Sequence, residues 1–306
     1  MEPVFQCIPN LSEGRRPELL LELAERLAEL DGVHLADHSW DRDHHRAVYT
    51  LLGEAEPLRQ AMLAIFDWAS QHLDLEGHQG EHPRVGAIDV VPFVPVWGAT
   101  MEQARELAVS LAEAVAQRHR LPVFLYEEAS RKPEHRLLPE LRRGGLEGLR
   151  LRLAHQELTP DFGPAQLHPR LGATVIGARG PLLAYNIVLG TDKLEVAQAI
   201  ARRIRERGGG LVSVRALGVA LEHQGRVQVS MNLTRPLTTG FYQAFEMVKV
   251  EARRHGVAIE SSELIGLCPL EALAEVGRYY LQLQGFRAEQ VLEHQLLLRG
   301  SHATNS

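Results

Sequence analysis

The chain has 306 residues, with 33 Lys and Arg against 39 Asp and Glu, a formal charge of −6. Hydrophobic residues make up 45% and charged residues 24%, the balance of a soluble globular protein, which excludes a disordered chain, a collagen-like repeat and a disulfide-stapled miniprotein. The acidic balance argues against non-specific nucleic-acid binding, which needs a basic face, and leaves room for a local basic pocket that takes a small anionic ligand.

Two cysteines, Cys7 and Cys268, stand in opposite halves and cannot form a disulfide framework. The opening Met1-Glu2-Pro3-Val4-Phe5 lacks the basic leader and apolar stretch of a signal peptide. The apolar run 87–96 is broken by Asp89, Pro92 and Pro95 and is too short to span a bilayer. The sequence therefore reads as that of a soluble, cytoplasmic protein.

In chain order, residues 4–9 form a short apolar run that stops at Pro9-Asn10, as a strand ending in a turn does. Ser12 is placed to cap the helix that follows, Pro17 suits its first turn, and Leu19, Leu20, Leu23, Leu27 and Leu30 recur at helical spacing until Gly32. Residues 33–40 and 47–53 read as strands around the polar stretch 41–46, and 57–72 as a helix with Leu58, Met62, Ile65, Phe66 and Ala69 on one face. A buried strand over 87–96, a helix over 101–118 and a strand over 122–126 complete the first half. Residues 127–172 are rich in Arg, Gly and Pro without clean periodicity, and read as a connection with short helices. Strands over 173–178 and 182–189 are expected to turn on one another at Arg179-Gly180. A helix over 192–207 follows, ending at Gly208-Gly209-Gly210, and then a hairpin of 212–221 with 226–233. A helix over 239–255, a strand over 257–264 and a helix over 270–283 close the series.

Both halves alternate strands and helices, with more strands than a plain parallel series supplies. The expected class is α+β, an α/β sandwich of two ferredoxin-like subdomains whose helices cover mixed or antiparallel sheets. The division is read near residue 175, giving subdomains over 1–175 and 176–300 and a disordered tail over 301–306.

Three stretches carry candidate chemistry. In Gly80-Glu81-His82-Pro83-Arg84-Val85-Gly86, His82 has the side chain that both accepts and returns a proton near neutral pH, and Pro83 restricts its backbone to extended forms. Glu81 and Arg84 could orient that ring or hold an anion; a polar turn with a surface histidine is the plainer alternative. In Asp41-Arg42-Asp43-His44-His45-Arg46, carboxylates and imidazoles could ligate a metal, or Arg46 could pair with a substrate carboxylate. No zinc spacing is present, and a solvated charged loop reads equally well. His78 and His82 stand four apart, but Gly77 and Gly80 argue against a helix between them. In 160–174, glycines permit close backbone approach, His168 and Arg170 can meet anions and Phe162 offers a ring face, although a bare linker would also look so. Neither the glycine run at 208–210 nor Ser12 or Ser213 matches a phosphate loop, a dinucleotide fingerprint or a hydrolase elbow.

Together these stretches resemble the glutamate formimidoyltransferase family. Cys7-Ile8-Pro9-Asn10-Leu11-Ser12-Glu13-Gly14-Arg15 is similar to its opening motif, and Gly80-Glu81-His82-Pro83-Arg84-Val85-Gly86-Ala87-Ile88-Asp89-Val90 to its active-site strand. Asp161-Phe162-Gly163-Pro164 and Gly172-Ala173-Thr174 resemble its folate-binding stretch, and Ala184-Tyr185-Asn186 its next strand, so the likeness runs over about residues 3–285.

The resemblance implies transfer of the formimino group from N-formimino-L-glutamate to tetrahydrofolate, a co-substrate, in histidine breakdown. It also implies a homodimer and a separate cyclodeaminase downstream, with neither a metal nor a nucleic-acid or membrane partner. The family's catalytic histidine falls on His82, with His45, Arg46, Glu81 and Arg84 as substrate-binding residues. Folate contacts fall on Gly163-Pro164-Ala165-Gln166-Leu167-His168-Pro169-Arg170-Leu171-Gly172 and on Gly209, Gly210 and Leu211. Two positions depart from the family: His45 stands where Asn is common, and Ser39 where an acidic residue is often found. A metal-dependent hydrolase of formiminoglutamate and a non-catalytic folate-binding module remain as alternative readings.

Overall fold

The first apolar run is interrupted at Ile8-Pro9, and the interruption organises the sheet around it. A computed structural model of the chain describes residues 2–42, 44–76, 78–79, 84–221 and 224–295. Strands β1 (Val4–Cys7) and β2 (Asn10–Leu11) share the same two antiparallel neighbours, β4 (Arg46–Gly53) and β5 (Ile88–Trp97). Pro9 has no N–H to give. The ladder runs past it through the Ile8 N–H on the Pro92 carbonyl at 3.2 Å and the Tyr49 N–H on the Pro9 carbonyl at 3.1 Å.

Helix α1 (Pro17–Ala28) opens on Pro17 and buries Leu20, Leu23, Ala24 and Leu27. Ser12 lies too far from this start to cap it; its hydroxyl donates to the Gly86 carbonyl at 2.7 Å instead. Strand β3 (Val33–Asp41) forms the edge beside β4, and α2 (Ala55–His72) lies between β4 and β5 in the chain. Helix α3 (Met101–His119) starts with Thr100 and Gln103 bonding each other's backbone N–H groups, at 3.2 and 2.9 Å. Strand β6 (Val123–Glu127) follows. The short helices α4 (Leu138–Leu141) and α5 (Gly145–Ala154) occupy the stretch expected to hold short helices, and β7 (Thr174–Ala178) ends the unit.

The sheet order is β3, β4, the broken β1/β2 strand, β5, β7, β6, with β7 parallel to both neighbours. Its first four positions are a βαββαβ unit, the ferredoxin-like arrangement, and β7 and β6 extend it. One face packs Phe5, Tyr49, Leu51 and Phe93 against Leu20, Met62, Phe66 and Leu111 of the helices. On the other, Val90, Phe124, Tyr126 and Val175 meet Leu141, Leu149 and Leu153 from α4 and α5. Covered on both sides over most of its length, β5 reads in sequence as a largely apolar run, interrupted at Asp89, rather than an alternating one.

The compact units divide at Arg179 and Gly180. The second contains β8 (Leu183–Leu189), α6 (Leu194–Ile204), β9 (Val214–Leu221), β10 (Arg226–Leu233), α7 (Phe241–Arg254), β11 (Ile259–Ile265) and α8 (Leu270–Tyr280). Its sheet runs β11, β8, β10, β9, all antiparallel, again the ferredoxin-like order, around a core that includes Ile187, Ile200, Val229 and Val248. The expected hairpin is β9 with β10. The expected turn of 173–178 onto 182–189 is not formed: β7 pairs with β5 and β6 in the first sheet, and β8 with β10 and β11 in the second. No helix among the described residues is long and apolar enough to cross a membrane.

Candidate active site

The residues around the broken strand in the first unit meet at one small recess. It is lined by Asn10, Leu11 and Ser12 from the β2 edge, His44, His45 and Arg46 from the β3–β4 connection, His78 and Arg84 from the segment after α2, and Asp89 of β5. Two glycines let these backbones touch. A Cβ on Gly14 would stand 2.1 Å from the Asp41 carbonyl oxygen, and one on Gly86 only 1.6 Å from that of Ala173.

Glu13, 3% exposed, anchors the recess from below. Its Oε1 accepts the N–H groups of Gly14, Arg15 and Arg16 at 3.0, 2.8 and 3.1 Å, and Oε2 accepts the Arg16 guanidinium Nε at 2.7 Å. Burial raises its pKa, but the Arg15 N–H and the Arg16 side chain outweigh that and hold the carboxyl below the usual value. Nε2 of His45 lies 3.3 Å from the same Oε1, and Nδ1 of His45 lies 3.0 Å from the Gln79 carbonyl oxygen. His45 takes a left-handed backbone, φ 49°, a conformation in which Asn and His are enriched.

Arg46 donates through Nε to Oδ1 of Asn10 at 2.8 Å, with Nη2 on the same oxygen. Burial and the nearby Arg142 bring its pKa down to about 10, against the pull of Asp89 and Asp41, so it stays charged at neutral pH. Arg84 gives Nη2 to the His78 carbonyl. Neither Arg46 nor Arg84 forms an ion pair among the described residues, which leaves two guanidiniums at one recess suited to a carboxylate or another anion. Asp89, by contrast, is taken: Oδ1 accepts the Val85 N–H at 2.7 Å and Oδ2 pairs with Arg142.

His82 and Glu81 lie outside the described residues. Of the nearest described residues on either side, Arg84 lines the recess and the Gln79 carbonyl faces His45. The stretch 163–172 is brought beside the recess: the Ala87 N–H donates to the Leu171 carbonyl and the Ala173 N–H to that of Val85, both at 2.9 Å. Gly163, Pro164, Ala165 and Gln166 are exposed, Leu167 is half-buried, and Leu171 and Gly172 are buried. His168 uses Nδ1 to accept the N–H groups of Arg170 and Leu171, at 3.2 and 3.0 Å, and so closes the turn before Gly172. Arg170 reaches the Ser70 and Leu73 carbonyls and the Asp74 carboxylate, each at 3.1 Å, at the end of α2, with Pro169 exposed beside it. Gly209, Gly210 and Leu211 belong to the second unit, in the turn after α6. Asn10 and Glu13 were missed as chemistry by reading the sequence, because they sit at the end of an apolar run; the signal was their nearness to its break at Pro9. No group of three or more His, Cys, Asp or Glu among the described residues is placed to hold a metal ion.

Comparison with known proteins places the sequence in a family. The family profile described as "Formiminotransferase domain, N-terminal subdomain" matches residues 4–179, and that described as "Formiminotransferase domain" matches 184–298. The chain is 40% identical over 298 residues to the glutamate formimidoyltransferase of Streptococcus pyogenes serotype M1, covering 97% of this chain and 100% of that one. The chain belongs to the formiminotransferase domain family. It is 39% identical to the glutamate formimidoyltransferase of Thermoplasma acidophilum, over 96% of this chain and 97% of that one. To the formimidoyltransferase-cyclodeaminase of Mus musculus it is 37% identical, over 92% of this chain and 53% of that protein. Membership makes the protein a transferase of formimino groups.

Proposed function

We propose that this chain transfers the formimino group of N-formimino-L-glutamate to tetrahydrofolate, with His82 as the general acid–base. The reading rests on one observation above the others: the chain matches glutamate formimidoyltransferases over nearly their full length, at 40% and 39% identity. The folate nitrogen attacks the amidine carbon and gives its proton to the imidazole of His82. The tetrahedral centre then collapses as the same imidazole returns a proton to the glutamate nitrogen, whose bond to carbon breaks. The products are 5-formiminotetrahydrofolate and glutamate.

Acid–base help of this kind contributes about 10²–10⁴-fold, and holding two substrates in register supplies most of the rest. Arg46 and Arg84 are the carboxylate-binding groups, with His45 and Glu81 completing the donor site. The exposed residues from Gly163 to Gln166 receive the folate, while His168 and Arg170 act by fixing the turn that carries them, and Gly209, Gly210 and Leu211 supply a lesser contact. The protein works in the cytoplasm as a homodimer, and cyclodeaminase chemistry consumes its product.

The test mixes purified protein with tetrahydrofolate and N-formimino-L-glutamate, then reads the absorbance of the methenyl derivative after acid treatment. A signal that needs both substrates and survives chelator is expected. Free glutamate without folate would move the activity to hydrolysis, and folate binding without either product would make the chain a binding module.

A further inference from the structure

His78 lines the recess and has no task in the proposed transfer. Its N–H donates to the Leu75 carbonyl at 3.1 Å, and its own carbonyl accepts from Arg84. Its ring stacks on His45, with centroids 4.0 Å apart and planes 7° from parallel. Nε2 lies 3.2 Å from the His45 carbonyl oxygen. A carbonyl oxygen only accepts, so Nε2 must carry the proton, and in the neutral ring Nδ1 is then a bare lone pair. Burial, then the charges of Arg84 and His45, push the ring down to about 4, against the His45 carbonyl bond and Glu13, which keeps it neutral at working pH. The residue is 8% exposed, and Nδ1 is shut off from solvent without a hydrogen-bond partner among the described residues. A buried acceptor left unmatched on a wall shared with two guanidiniums calls for a ligand donor.

We propose that Nδ1 of His78 accepts the N–H of the terminal nitrogen of the donor's formimino group and so selects it over a formyl group of the same shape. This rests on the transferase reading above. The formimino nitrogen brings a proton to the lone pair. A formyl oxygen brings a second lone pair, leaves Nδ1 buried and unmatched, and meets repulsion. Sites built to bond a substrate N–H reject the analogue lacking it strongly, up to the order of 10⁴-fold, because their own polar group then goes unpaired. Arg46 and Arg84 do not discriminate, since both donors carry the same glutamate carboxylates.

The experiment measures kcat/KM for N-formimino-L-glutamate and N-formyl-L-glutamate with tetrahydrofolate in the wild type, His78→Gln and His78→Asn. Gln keeps a donor near Nε2 and loses the acceptor, whereas Asn places an oxygen near Nδ1. The wild type should favour the formimino donor by at least about 10²-fold. His78→Gln should shrink that ratio at least about tenfold, and His78→Asn should keep most of it. A Gln variant that slows both donors equally, or keeps the wild-type ratio, overturns the proposal while the transferase reading stands. A wild type inactive on both donors overturns the reading itself. Should the Gln variant fail to fold, ¹⁵N-labelled histidine in the wild type decides. The Nδ1 signal must sit at the unprotonated position and move on adding N-formimino-L-glutamate but not N-formyl-L-glutamate; an unmoved signal overturns the proposal.

Discussion

Glu13 is a carboxylate taken almost wholly out of water, and the Arg15 N–H, the Arg16 guanidinium and the Arg16 N–H keep it ionised there. Its folded pKa lies below the unfolded one, so its stabilising effect is present above the ordinary value of 4.5 and fades as pH falls through the folded value. Glu13→Gln should cost about 1.5–3 kcal/mol at pH 7, the worth of hydrogen bonds to a charged group. In denaturant titrations the gap between the two proteins should narrow below about pH 4; a gap constant with pH would remove the charge from this account. His78 acts in a different window. Its folded pKa of about 4 lies below the ordinary 6.5, so the unfolded chain takes the proton first and stability falls as pH drops from 6.5 towards 4, levelling below it. In His78→Gln that slope should be flatter by one proton between those limits. For His82→Ala, turnover should drop about 10²–10⁴-fold while tetrahydrofolate still binds in equilibrium titration; near-normal turnover would take the proton-transfer role from His82. Much of this was legible residue by residue, since His44, His45 and Arg46 form a visible cluster. The partners that give them meaning, Asn10, Glu13 and His78, are scattered through the chain and become neighbours only when the β3–β4 connection folds over the broken strand.

Secondary structure was legible wherever one face is apolar. Helices α1, α2, α6 and α7 each show a buried stripe at helical spacing, and their observed bounds fall close to the expected ones. Strand β7 was recognised as a strand but given the wrong neighbour, because parallel pairing with β5 and β6 joins segments distant in sequence and leaves no local mark, whereas hairpins such as β9 with β10 do. The turn at Gly86 is the tightest of these long-range contacts. Gly86→Ala drives a methyl group into the backbone of Ala173, which has no rotamer to escape with, and should cost at least about 3 kcal/mol. Thermal unfolding followed by circular dichroism checks this, and a variant melting with the wild type would mean the turn is free to shift. Arg170 is milder. Its donors hold carbonyls at the end of α2, so Arg170→Ala should lower stability by roughly 1 kcal/mol in the same measurement.

Each half of the molecule builds its own sheet and its own core, and the two repeat one βαββαβ plan without visible repetition of sequence. Plan and sequence part company because the arrangement asks only for apolar periodicity and turns, which many residue choices satisfy. Hydrogen exchange read by mass spectrometry should find two slow-exchanging centres, at β5 with β7 and at β8 with β10, while β11, exposed along nearly all its length at one edge, exchanges early. Protection of β11 equal to that of β8 would contradict this. The stretch 127–172 has the look of filler in sequence, yet one of its residues, Arg142, is fastened to Asp89, whose other oxygen fastens the backbone at Val85. Descendants of this gene are therefore not at liberty to lengthen or shorten the path on either side of Arg142, although its composition can drift. Insertions should accumulate instead at turns that fasten nothing, and the spacing from Asp89 to Arg142 should age more slowly than the letters between them.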